Sequence, residues 1–119
     1  MTTYDKHLKF FVETHKKLKA LKSEQDIRLL ITELMFYLDK NFLVDKNYLT
    51  HSQRFLACEV NLDLLKDLEA EMYLSFLTMI YRIDYIDPNS DAFMIYYKNQ
   101  MIERILYYLI IKLKEVKGD

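Results

Sequence analysis

The chain has 119 residues, 51% of them hydrophobic, with one Gly, one Pro and a formal charge of −1 from 17 basic and 18 acidic side chains. Average usage would supply roughly fourteen Gly and Pro together, so glycine-built phosphate loops, dinucleotide fingerprints, nucleophile elbows and turn-rich sandwiches or barrels are excluded. The near-neutral balance argues against a protein whose main task is to coat nucleic acid or an anionic membrane.

What remains is an all-α chain, and its helices can be placed by capping residues and by apolar spacing of three and four. With Thr2 or Thr3 as cap, Tyr4, Leu8, Phe11, His15 and Leu18 mark a first helix to about residue 21. Ser23 with Asp26 resembles a capping box. It opens a second helix, carried by Ile27, Ile31, Leu34 and Leu38 to about residue 41. Residues 41–50 read as a connection ending in a second box, Thr50 with Gln53. Apolar spacing then continues from Phe55 and Cys58 to Ile86, a helix of about 50 Å if unbroken. A compact domain of this length is only about 35 Å across. A break at Asn61 resolves the conflict, giving a short helix over about 51–59 and a long one over about 62–86. Asp87-Pro88-Asn89-Ser90 is a strong turn. A last helix follows over about 91–117, closed by Gly118. Short loops between long helices predict one domain over 1–119, an up-and-down antiparallel bundle of four long helices plus a short one.

Few residues suggest chemistry. His7 and His15 both point toward the seam of the first helix but stand about 12 Å apart along its axis, too far to share a metal ion. Glu69, Lys98 and Lys112 interrupt apolar seams, so all five are expected to be buried polar groups with partners, Glu69 facing the stretch from Arg104 to Lys112. Glu59, Asp63, Asp67 and Glu71 form a row four apart, which reads as a solvated or docking face because the Glu-x-x-His repeats of a di-iron bundle are missing. Lys6, Lys9, Lys16 and Lys17, interrupted by Glu13, give the first helix a basic outer face without arginine or stacking aromatics, making nucleic acid an unfavoured partner. Cys58 completes an apolar stripe, and His51 is about 10 Å from it along the axis. No catalytic residue, metal or cofactor is nominated. A lone cysteine and a start without a charged-then-apolar leader predict a cytoplasmic protein, and no apolar run approaches the roughly 20 residues that cross a bilayer.

The strongest signal is surplus apolar surface. Leu29 and Phe36 lie opposite the core stripe of the second helix, Leu74, Tyr81 and Tyr85 off that of the third, and Phe93, Tyr96, Tyr107 and Ile111 off that of the last. These nine are the expected interface of a non-enzymatic protein that dimerises, adapts or caps a partner, a homodimer first of all. The competing expectations are a helical enzyme or ligand-binding protein using His7, His15 or Glu69, and a weak nucleic-acid binder using the basic first helix.

Overall fold

A computed structural model describes the backbone of residues 4–118 and the side chains of residues 6–115. Thr2, Thr3 and the side chains of Tyr4 and Val116 therefore lie outside the described residues. Six α-helices are present: α1 (Tyr4–Ala20), α2 (Glu24–Lys40), α3 (Ser52–Val60), α4 (Ala70–Ile86), α5 (Ala92–Lys98) and α6 (Met101–Gly118). Single 3₁₀ turns occupy Tyr48–His51, Leu62–Leu65 and Pro88–Ser90. There is no strand among the described residues.

The sequence places α1 and α2 within about a residue. Ser23 caps α2 by accepting the Asp26 N–H at 3.4 Å, which satisfies one of the amides orphaned at a helix start. The second expected cap fails. The Thr50 hydroxyl donates to the Asn47 carbonyl at 2.8 Å, and α3 begins two residues later behind His51, whose side chain caps nothing.

The break expected at Asn61 is present, but the long helix expected over about 62–86 is itself interrupted. At Asn61 the chain turns extended and the side chain accepts the Asp63 N–H at 3.1 Å. The second break follows at Lys66–Glu69, where Asp67 is left-handed with φ 61°. Its stitch is the fully buried Tyr73, whose hydroxyl donates to the Leu65 carbonyl at 2.5 Å and accepts the Leu68 N–H at 3.0 Å. One phenol thus satisfies two backbone groups that the interrupted helix would leave bare.

The helix expected over about 91–117 is two helices. Asn99 and left-handed Gln100, φ 71°, separate α5 from α6, and the Asn99 side chain accepts the Met101 N–H at 2.9 Å. The break resets the helical phase, so positions counted back from α6 do not hold in α5. Phe93 and Tyr96, expected to face outward, are buried there together with Ala92 and Met94.

A chain with one glycine must turn on other residues, and four non-glycines take positive φ: Phe42, Asp67, Asp91 and Gln100. Asp91 is held by a two-pronged ion pair with the Arg28 guanidinium of α2, one arm at 3.1 Å. Phe42 occupies the left-handed position after α2 that glycine favours. There the Leu43 N–H reaches the Leu38 carbonyl at 2.8 Å and the Phe42 N–H reaches the Asp39 carbonyl at 3.3 Å. Its ring gains no burial in return, being 91% exposed.

The helices pack around α4, in which Ser75 to Ile80 are all buried. The 41–50 connection is tied onto it by the Thr78 hydroxyl, which accepts the Asp45 N–H at 3.0 Å and donates to the Leu74 carbonyl at 2.8 Å. Antiparallel α1 and α6 form the broadest seam. His15 near the end of α1 meets Glu103 near the start of α6, while His7 and Phe11 share a cavity wall with Leu109 and Leu113.

Two stability changes follow. Tyr73→Phe should lower unfolding free energy by about 1–3 kcal/mol, because two buried backbone groups lose their partner at once, and urea denaturation reads the loss directly. Phe42→Gly should raise it by up to about 1 kcal/mol, since relief of the left-handed penalty exceeds the added chain entropy. An unchanged or lowered melting temperature would show that Phe42 is stabilised by contacts its exposure does not reveal.

Candidate interaction surface

The nine expected interface residues fall into three groups rather than one face. Phe93 and Tyr96 belong to the core and are corrected accordingly. The Tyr96 ring packs on Phe55 at 5.4 Å and its hydroxyl donates to Glu59 at 2.9 Å. Burial and that carboxylate push the phenol well above its ordinary pKa. Leu74 is half-buried beside a small cavity with His7, Phe11, Leu109 and Leu113. That cavity, about 90 Å³, is far below the roughly 300–1,000 Å³ of a typical ligand pocket.

The second group lines a recess of about 260 Å³ between α2 and α4. Thr32, Met35 and Phe36 form one wall and Tyr81, Asp84 and Tyr85 the other, with Phe93 between them. Of its lining, Phe36 and Tyr85 are 60% and 71% exposed, and Leu29 of α2 is 56% exposed. Leu29 and Phe36 are seven residues apart on α2, so they rise from the same face. The rim carries the Arg28–Asp91 pair, and burial together with the nearby Asp91 carboxylate raises the Asp84 pKa against the pull of Arg28.

The third group lies between α1 and α6. Tyr107, 47% exposed, and Ile111 stand beside Val12, His15, Lys16 and Lys114 around a recess of about 200 Å³. His15 Nε2 donates to Glu103 Oε2 at 2.7 Å, fixing the imidazole against α6 at 6.2 Å from the Tyr107 ring. The α1–α6 and α2–α4 recesses share no lining residue.

Of the expected buried polar groups, His7 is buried and half-buried Lys112 is paired. His7 Nδ1 and the Tyr37 hydroxyl are joined by a 2.6 Å hydrogen bond, and the Tyr37 ring stacks on Phe10 at 3.6 Å. Burial, helped by Lys6, lowers the His7 pKa and keeps the ring neutral. Lys112 donates to Asp67 at 2.7 Å. Two readings are corrected. Glu69 is exposed at the start of α4 because the helix begins there instead of passing through, so Asp67 takes the role foreseen for it. Lys98 is exposed at the end of α5 and pairs with Glu24 at 3.0 Å. His7, His15 and Glu69 are not brought to one site. Among the described residues no cluster of three or more His, Cys, Asp or Glu is arranged to hold a metal. Cys58 is buried, and burial raises its thiol pKa.

Sequence reasoning missed one surface. Leu49, Leu56, Val60 and Leu64 are all at least half exposed on and around α3. Their spacing of seven, four and four is helical and was available to find them.

Asp84 gives the recess a pH dependence. Its pKa is higher in the folded chain than in the unfolded one. The ionised carboxylate therefore opposes folding at neutral pH, and stability contributed by this group rises as pH falls through the elevated value. Asp84→Asn should melt higher than wild type at pH 7, with the difference closing as pH falls below about 4. A variant less stable at pH 7 would show that its attraction to Arg28 outweighs desolvation. Neither a family model, nor a curated protein, nor a solved structure matches this chain.

Proposed function

We propose that this is a non-enzymatic interaction protein, acting in the cytoplasm, whose four long helices form an up-and-down antiparallel frame and whose α2–α4 face joins two copies. The observation that carries the reading is a projection and a hollow on one patch. Phe36 and Leu29 stand out from α2 directly beside the recess walled by Tyr81 and Tyr85. A two-fold axis through such a patch lets each copy insert its projection into the other's hollow, which is the geometry an isologous dimer requires. Apolar anchors with tyrosines at the margin suit the transition from dry centre to wet rim. Arg28 and Asp91 nearby neutralise each other, which leaves Asp84 as the charged residue of the recess lining.

The ligand-binding alternative finds less support, since the histidines are occupied by Tyr37 and Glu103. No helix among the described residues is long and apolar enough to cross a membrane. The buried Cys58 suits a reducing compartment.

Sedimentation equilibrium tests the reading. Wild type should be dimeric at micromolar concentration, and Phe36→Ser or Tyr85→Ser should weaken association by about 2 kcal/mol or more, as for a central anchor. Both variants should keep wild-type helicity. A wild-type chain that stays monomeric, or dimers that persist unchanged in both variants, would remove this face as the junction.

A further inference from the structure

The α1–α6 recess differs from the α2–α4 recess in its charge. Val12, Tyr107, Ile110 and Ile111 give it an apolar lining, to which Lys16 on α1 and Lys114 on α6 add positive charge. Both lysines are exposed, and neither has a carboxylate within ion-pairing distance among the described residues. Arg28, Lys98 and Lys112 are paired, with Asp91, Glu24 and Asp67. Glu103, beside this recess, is engaged by His15 and lies 4.0 Å from Arg104. Lys9, seven residues before Lys16 and also exposed, extends the same basic edge.

We infer that this recess docks an acidic amphipathic helix of a partner protein, whose apolar side chains enter between α1 and α6 while its carboxylates meet Lys16 and Lys114. Shape selects a helix over a lipid surface. Helices that lie on membranes present apolar side chains outward to reach below the headgroups, whereas here the apolar atoms line a hollow between two helices. A ridge of side chains at i, i+3/i+4 and i+7 fits such a hollow, as one helix fits the groove of others. Charge selects the sign of the flanks, because desolvating two unpaired lysines is favourable only against opposite charge. The inference does not depend on the proposed dimer, since the two recesses share no lining residue.

The test titrates the intact protein with a labelled helical peptide carrying leucines at that spacing and glutamates on both flanks, followed by fluorescence anisotropy. The same peptide with lysine for every glutamate is the control, and phosphatidylserine vesicles are a separate arm. The acidic peptide should bind saturably and more weakly as salt rises, and the basic peptide should not bind. Ile111→Asp and the double variant Lys16→Glu/Lys114→Glu should each reduce affinity about tenfold or more, while Phe36→Ser leaves it unchanged. Because the lysine variant alters only exposed side chains, it reads the site even if Ile111→Asp perturbs folding, and circular dichroism monitors both. Absence of saturable binding, equal binding of the basic peptide, unchanged affinity in the lysine variant, or binding to vesicles in place of peptide would each overturn the proposal.

Discussion

A helix with no polar face has to be covered on every side, and α4 imposes that demand on the rest of the molecule. From Ser75 to Ile80 every side chain is buried, so neighbours are required all round the cylinder. α2, α5, α6 and the 41–50 connection supply them. The connection can lie on an apolar helix only because Thr78 takes its Asp45 N–H, which answers the cost of an irregular backbone against a core. Ser75 was left without such an answer, and its hydroxyl is buried with no partner. The flanking helices spend their core faces on α4 and on each other. The remaining apolar side chains of α2, α3 and α6 are those exposed at the surface.

Where periodicity and capping act together the sequence is legible: α1, α2, the turn at Pro88 and the break at Asn61 follow from short-range rules. The missed breaks have a different origin. Nothing local at Lys66–Glu69 forbids a helix, and the interruption depends on a hydroxyl five residues downstream whose two backbone bonds exist only after folding. Asn99 was a readable signal, since a short polar side chain competes with the helix for backbone amides. Overlooking it misplaced Phe93 and Tyr96, because an apolar pattern predicts burial only while the helix is continuous. Leu29, Phe36, Tyr85, Tyr107 and Ile111 were separable from the core by angle alone. Their division between two recesses was not, since it depends on which helices become neighbours.

The two recesses differ in what they present to a surface laid against them. Between α2 and α4 the nearby Arg28 and Asp91 are paired within the chain, Asp84 lines the wall without an ion pair among the described residues, and large apolar groups are exposed. Between α1 and α6 two lysines without an ion pair among the described residues, Lys16 and Lys114, line the hollow beside partly exposed Tyr107 and Ile111. The first arrangement suits a surface that meets its like, the second a surface that selects something different from itself.

The seam between α1 and α6 also bears on how the chain reaches this state. His15 and Glu103 are 88 positions apart, so the broadest helix contact joins the two ends of the described chain. Small helical domains fold fast because most of their contacts are local, and closing a long loop before any reward arrives slows the search. This topology places an all-α protein toward the slower end of its class. α2 to α5 can assemble through shorter loops, while α1 and α6 must find each other across everything between them.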